Sequence, residues 1–273
     1  MDRDYILQVK DLKKYYPLKN KSLFKEKRLQ KSVDGVSLNI ERNTIIGLVG
    51  ESGCGKSTLA KLILNLIDAT GGRVVFEDSV LYDIEDNIKI SKNDMMRLRK
   101  DIQIIFQDPY SSLDPKMSIG KTIVSGIRKH NNVNLDEAYE IASEALEACG
   151  LDRSYLNRFP HEFSGGQRQR IAIARVLALK PKFIICDEPT ASLDVSIQSQ
   201  ILNLMLDLKK SYGLTYLFIS HNLNIVRYFC DEIVVMNKGK IVEVGKSEDI
   251  YNNPKDEYTK KLLNSIPRYN PRV

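Results

Sequence analysis

The nine residues Gly50–Thr58, GESGCGKST, carry the spacing that a phosphate cradle needs. They fit the pattern G-x-x-x-x-G-K-S/T, with Gly50, Gly55, Lys56 and Ser57 at the defining positions. Glycines let a backbone wrap close to an anion. Successive N–H groups along Gly50, Glu51, Ser52, Gly53, Cys54 and Gly55, then Lys56, Ser57 and Thr58, can therefore converge on phosphate oxygens. A helix beginning at Lys56 adds unpaired amides and the positive end of a dipole. Lys56 supplies a point charge to the outer phosphates, and Ser57 can reach a magnesium ion travelling with them. The plain alternative is a glycine-rich strand-to-helix turn without a ligand. Strand, loop, lysine and helix together favour a nucleoside triphosphate.

A second group of chemically capable residues ends the run Phe183-Ile-Ile-Cys-Asp-Glu188. Ligands of open α/β sheets gather at the carboxyl ends of strands, so Asp187 is placed to hold magnesium and Glu188 to polarise an attacking water. Gln107 ends Ile102–Phe106 and could touch both metal and water; His221 follows Tyr216–Ser220 on the same rim and could bond the γ-phosphate or the water. A third group is Phe163-Ser-Gly-Gly-Gln-Arg-Gln-Arg170. Ser164 can cap the helix that follows, while Gly165 and Gly166 expose amides at its positive end. One chain thus carries two anion cradles far apart in sequence. Two chains packed head to tail would explain both, each triphosphate lying between one chain's loop and the other's Ser164–Gln167.

The elements that must position these residues read as α/β. Thr44–Val49 is a buried strand before the loop, and Lys56–Ile67 is a helix after it. Ile6–Val9 and Arg73–Glu77 read as strands; Val36–Ile40 alternates like an edge strand. Leu18–Ser32 is a lysine-rich insert, read as a loop. Phe183–Cys186 and Thr215–Ser220 are continuous apolar runs separated by the amphipathic helix Asp194–Tyr212, which indicates a mainly parallel sheet covered on both faces. Residues 86–178 read as a largely helical insertion, with Ala138, Ile141, Ala142, Ala145, Leu146 and Cys149 at helical spacing. Glu232–Gly245 reads as a hairpin turning at Asn237–Lys240.

Composition bounds the class. The 273 residues are 42% hydrophobic and 28% charged, ordinary for a globular chain of one large domain with a subdomain. No apolar stretch approaches bilayer length, and Met1-Asp-Arg-Asp-Tyr does not look like a leader, so a cytoplasmic location is expected. The net charge of +6 is scattered among acidic residues, and solubility explains it better than nucleic-acid binding. Cys54, Cys149, Cys186 and Cys230 lie far apart without metal-site spacing. Alkylation of Cys54, inside the loop, could block nucleotide.

Taken together, the motifs resemble the ATP-binding subunit of ABC transporters over nearly the whole chain. Gly50–Thr58 looks like Walker A, Phe183–Glu188 like Walker B, and Gln107 like the Q-loop. Ser164–Gln167 matches the signature with Phe163 before it, Ser192-Leu-Asp194 the D-loop, and His221 the switch histidine. The resemblance implies a P-loop ATPase core with an N-terminal antiparallel β portion and an inserted α-helical subdomain. It implies ATP and Mg2+ as cofactors, with Ser57, Gln107 and Asp187 on the metal. Glu188 would act as base, His221 and Gln107 as its catalytic neighbours, and Ser164, Gly165, Gly166, Gln167 and Asp194 as nucleotide contacts. Tyr16 would stack on adenine, with Tyr15 the competing candidate.

Within the family, Lys13-Lys-Tyr-Tyr-Pro17, Gln107-Asp-Pro-Tyr-Ser-Ser-Leu-Asp-Pro115 and the tail Asn253–Pro267 resemble the oligopeptide/dipeptide importer branch, and its F-type ATPase most. Asp256-Glu257 depart from the His-Pro usual in that tail. The implied organisation is a cassette over 1–245 and a C-terminal extension over 246–273. The implied partners are integral-membrane permease subunits, a second ABC ATPase (a D-type paralogue, giving a heterodimer) and, indirectly, an extracytoplasmic substrate-binding protein. The chain would lie peripherally on the cytoplasmic face of the cell membrane, with no nucleic acid expected. The alternatives are a nickel importer of the same branch, or a soluble ABC ATPase acting on nucleic acid or ribosomes, for which the basic Lys19–Lys31 is the one favouring feature.

Overall fold

The computed structural model describes residues 4–18, 29–108 and 112–265. Most of the basic insert, Pro109–Ser111 of the Q-loop stretch and the end of the tail lie outside the described residues. In chain order the elements begin with β1 (Tyr5–Pro17), β2 (Leu29–Glu41), β3 (Ile45–Val49), α1 (Lys56–Ile63), β4 (Gly71–Phe76), β5 (Ser79–Asp83) and β6 (Ile88–Lys89). Next come α2 (Lys92–Leu98), β7 (Ile102–Ile105), α3 (Ile119–His130), α4 (Leu135–Ala148), α5 (Gly165–Leu177), β8 (Phe183–Asp187) and α6 (Val195–Tyr212). The last are β9 (Thr215–Ile219), α7 (Leu223–Phe229), β10 (Glu232–Asn237), β11 (Lys240–Lys246), α8 (Ser247–Asn252) and α9 (Glu257–Asn264). The chain forms two compact units, Met1–Ile90 with Leu217–Val273, and Ser91–Tyr216.

The first unit holds an antiparallel sheet ordered β2-β1-β4-β5-β6 and, separately, strands β11, β10 and β3 side by side with the end of β9. β2 is an edge strand whose buried residues alternate with exposed ones, because one face meets the core and the other water. β3 is buried at all five positions and pairs parallel with β10, as an unbroken apolar run requires. Gly47 has a packing reason within β3. A Cβ there would lie 2.6 Å from Val226 Cγ1 and 2.9 Å from Cys230 Sγ, where α7 crosses the strand.

Three elements of this unit differ from the sequence expectation. β1 runs to Pro17 instead of Val9, because β2 extends it by pairing Tyr16 with Gln30 and Pro17 with Leu29. For the same reason Leu29–Ser32, read as part of a loop, is strand. α1 stops at Ile63, and Asn65 takes a left-handed φ of 50° before the chain turns towards β4.

In the second unit β7 and β8 pair parallel, with Ile105 opposite Cys186. Helices α3, α4 and α5 bury Ile119, Ile123 and Ile127, Ala138, Ala142 and Leu146, and Ile171, Ala174 and Leu177. That is the helical spacing expected of elements packed on one another. The stretch read as a largely helical insertion also contains β6 and β7. α4 opens on a capping box, Asn134 accepting from Glu137 N while Glu137 accepts from Asn134 N.

Candidate nucleotide site

The phosphate loop leaves the carboxyl end of β3 and enters α1 through Gly55, whose φ is 112°. No side chain caps α1, whose amino end carries the partial positive charge that suits an anion. The loop's glycines answer different demands. A Cβ on Gly50 would lie 2.1 Å from Met236 O, and one on Gly55 2.1 Å from Ser32 O, so backbone from β10 and β2 closes in on both. Gly53 has φ +80° and open space on its Cβ side, so its left-handed backbone and not packing calls for glycine there. Gly239 N, in the β10–β11 turn, donates to Cys54 O at 2.9 Å and holds the loop from a third side.

Lys56 is only 6% exposed. Its Nζ donates to Gly50 O at 2.7 Å and Glu51 O at 3.1 Å and lies 3.8 Å from Cys54 Sγ. The ammonium is thus held against the loop's own carbonyls. Burial pushes the Cys54 thiol up in pKa against the opposing pull of Lys56, which makes it a weak nucleophile.

His221 is exposed and lies directly after β9. Ser220 N donates to Leu48 O at 3.3 Å, so β3 and β9 end side by side and His221 leaves from the edge that Gly50 leaves from. The two N-terminal tyrosines differ. Tyr15 donates its hydroxyl to Asp34, which also meets Lys31 at 3.4 Å and Lys240 at 3.6 Å. The Tyr15 bond, before the lysines, holds the Asp34 carboxyl below its ordinary pKa. Tyr16 is 38% exposed, with Lys14 Nζ 5.0 Å from its ring centre.

In the second unit the parallel register of β7 and β8 sends Gln107 and Glu188 out of one sheet edge. Gln107 Nε2 donates to Glu188 Oε2 at 3.4 Å, so two residues 81 positions apart meet. Glu188 also has φ +50°. That left-handed conformation costs a side-chain-bearing residue about 1–2 kcal/mol. The Glu188 carbonyl accepts from Ala191 N at 3.2 Å, closing the turn after β8.

At the head of α5, Ser164 Oγ accepts from Gln167 N at 3.3 Å and Gln167 Oε1 from Ser164 N at 3.0 Å, a complete capping box. The amides of Gly165 and Gly166 occupy the first two helical positions and have no acceptor within the helix. The two glycines differ: a Cβ on Gly166 would lie 2.6 Å from Ile197 Cγ2, one on Gly165 only in ordinary contact with Leu193 Cδ2 at 3.5 Å. Asp194 caps α6, accepting from Ile197 N at 2.9 Å and Ser196 Oγ at 2.8 Å. Those bonds, the Ile197 amide first, hold its carboxyl below the ordinary range.

Within the first unit Ser57 offers a hydroxyl oxygen at the head of α1; within the second Asp187 and Gln107 offer carboxylate and amide oxygens. All are hard donors of the kind magnesium takes. Sequence reasoning did not find three contacts of the loop: the Gly239 amide, Ser32 O, and the Tyr258 hydroxyl, which accepts from Glu51 N at 3.0 Å. The hairpin turn was readable; its target was not.

Residues 33–191 match the ABC transporter family profile. The chain belongs to the ABC transporter family. Residues 242–273 match the C-terminal region of oligopeptide/dipeptide transporters. The dipeptide transport ATP-binding protein DppF of Escherichia coli (strain K12) is 44% identical over 266 residues, covering 97% of this chain and 78% of that protein. The oligopeptide transport ATP-binding protein OppF of Bacillus subtilis (strain 168) is 44% identical over 267 residues, covering 97% and 84%. Among solved structures, cbiO1 from Clostridium perfringens, part of the ABC transporter complex cbiONQ, aligns with TM-score 0.76 at 29% identity over 97% of each chain. The cassette MJ0796, in a dimeric post-hydrolysis state bound to ADP and Pi, aligns with TM-score 0.74 at 27% identity, covering 88% of this chain and 98% of that one. This ABC ATPase is a subunit of the peptide-importer branch. Among its described residues no helix is long and apolar enough to cross a membrane.

Proposed function

We propose that this ABC ATPase powers uptake of oligopeptides or dipeptides, working on the cytoplasmic face of the membrane through permease subunits. Two cassettes close around two ATP molecules and part after hydrolysis. The second cassette is a D-type paralogue, and an extracytoplasmic binding protein delivers cargo. The peptide assignment is supported by the tail match and by peptide transporters 44% identical along 97% of the chain. Pairing of cassettes is supported by the dimeric MJ0796 neighbour.

Each residue then has a task. Lys56, held over the loop by the carbonyls of Gly50 and Glu51, pairs with the outer phosphates, and the α1 amides bind beside it. Ser57, Gln107 and Asp187 would hold magnesium, which when bound offsets phosphate charge. Glu188 accepts a proton from the attacking water, Gln107 orients it, and His221 bonds the γ-phosphate. Tyr16 stacks on adenine, since the Tyr15 hydroxyl is engaged by Asp34. Gly165 and Gly166 turn their amides to the partner's ATP.

The observation that carries hydrolysis is the 3.4 Å approach of Gln107 to a Glu188 held at positive φ. Glu188→Gln is expected to keep ATP binding and ATP-dependent dimerisation while turnover falls about 10²- to 10⁴-fold, the range for losing a general base. Normal turnover would remove Glu188 from the role. Purification of the tagged chain from native membranes, with identification of co-purifying subunits, tests the partners. Uptake of labelled dipeptides, longer peptides and nickel tests the cargo.

A further inference from the structure

The C-terminal extension reaches back to the phosphate loop. Glu51 N donates to the Tyr258 hydroxyl across 207 residues of sequence, at 3.0 Å. Glu51–Gly53 form the exposed tip of the loop, whereas Gly50 and Lys56 on either side are buried. The tip peptide is therefore where the loop has least packing to define it. Its carbonyl, Glu51 O, accepts from Cys54 N at 3.2 Å and from Lys56 Nζ at 3.1 Å. Lys56 carries three N–H donors, so it can reach a phosphate while bonding loop carbonyls. Beside it, Glu51 has the Cys54 bond on its oxygen and the Tyr258 bond on its nitrogen.

Tyr258 is itself held firmly. Asp256 Oδ1 accepts from Tyr258 N at 2.8 Å and Thr259 N at 3.4 Å, capping α9. One step further back, the two carboxylate oxygens of Glu243 on β11 accept from Lys255 N at 2.8 Å and Asp256 N at 3.1 Å. β11 pairs with β10, and the turn between them bonds Cys54 O. The hairpin and the tail therefore grip the loop at two points, one on each side of Gly53.

We infer that Tyr258 is a positioning residue of the ATP site: its hydroxyl fixes the Glu51 amide at the least packed part of the loop, so that the cradle keeps its shape as nucleotide binds. The inference rests on the reading that Gly50–Thr58 binds ATP. It gives the extension a part in nucleotide affinity, separate from any part in membrane assembly.

The test compares Tyr258→Phe, which keeps the ring and removes the acceptor, with wild type in the full-length chain within its purified transporter. Steady-state ATPase kinetics and titration with a fluorescent ATP analogue are the readouts, alongside Tm. The expected result is a KM for ATP and an analogue Kd raised about 3- to 10-fold, the worth of one hydrogen bond, with kcat within about 2-fold. Tm should move by no more than about 2 °C, since the ring's packing stays. An unchanged KM overturns the inference. So does a fall in kcat at constant KM with a lower Tm, which would reduce Tyr258 to a packing role. Lys56→Ala is the companion variant: if it binds the analogue normally, the nucleotide-site reading beneath the inference fails, whatever Tyr258→Phe does.

Discussion

The two anion cradles of this chain are built on opposite plans. At the head of α1 no side chain caps the helix, and the loop before it is enclosed by backbone from β2 and β10, by Gly239 N and by the Tyr258 hydroxyl. At the head of α5 Ser164 and Gln167 cap each other, Ser164 and Gly165 are exposed, and the contact that requires glycine at 166 is with Ile197. The first cradle has no side-chain cap and holds a buried lysine against its carbonyls, an arrangement that concentrates positive charge for an anion. The second is already satisfied as a helix cap. A self-capped, exposed turn is what a surface that docks on a ligand held elsewhere would look like. The contrast supports the proposed division, in which Lys56 and its loop capture nucleotide and Ser164–Gln167 close on a partner's nucleotide.

The strongest way to break that assignment is to disable each cradle in turn. Lys56→Ala is expected to weaken nucleotide binding by the isolated chain about 10- to 100-fold, the range for a hydrogen bond to a charged group. Ser164→Ala should leave binding by one chain within about 2-fold while ATP-dependent dimerisation, read by gel filtration of a Glu188→Gln background, is lost. If Ser164→Ala weakens capture by a single chain as much as Lys56→Ala does, both cradles serve one triphosphate and the division collapses.

The adjacent glycines of the second cradle sharpen the same point with a smaller effect. Gly166→Ala drives a Cβ to 2.6 Å from Ile197 Cγ2, an overpacking of about 1–3 kcal/mol that should lower Tm by several degrees. Gly165→Ala meets nothing closer than 3.5 Å and gains helix propensity, so Tm should hold or rise. Dimerisation should nevertheless fail in Gly165→Ala, because the new methyl stands on the exposed face. A Gly165→Ala variant that dimerises normally would leave the exposed amides without a task.

How much of this was legible depends on where the determining contact lies. β3 and β9 could be read because each is a mainly apolar run with all five residues buried, and β2 because one face is wet. The capping boxes at Ser164 and Asn134 are written within four residues and need no tertiary context. The second half of β1 was illegible: Lys13–Pro17 is half-exposed, its apolar pattern stops at Leu12, and its strand character comes from β2. Of the proposed site, Lys56, Gln107 and Glu188 could be singled out by type and spacing. The left-handed backbone of Glu188 has no signal in a Cys-Asp-Glu-Pro string, and the Tyr258 contact spans 207 residues between a loop and a tail each readable only alone. The difference between Tyr15 and Tyr16 likewise needs Asp34, which takes the Tyr15 hydroxyl while Tyr16 stays exposed.

The smallest effect separates the cradles by pH. Burial pushes the Glu243 carboxyl up, but hydrogen bonds, among them those from the Lys255 and Asp256 amides, outweigh it and hold the pKa below its ordinary value. A carboxyl lowered on folding contributes stability that is complete above its unfolded pKa, about 4.3, and is lost as pH falls through the folded value. From pH 6 to 8 the tail should therefore be anchored, and it should loosen only as pH falls through the lowered folded pKa and Glu243 takes a proton. Glu243→Gln mimics the protonated state at neutral pH, since the amide cannot accept at both atoms. Hydrogen exchange in that variant at pH 7 should quicken a few-fold at Tyr258, Thr259 and Glu51, with Gln167 unchanged. Wild type and variant should converge once the pH lies below that folded value. Equal quickening at Gln167 would show that the tail supports the fold generally, and the phosphate loop would lose its distinction of being the cradle the extension braces.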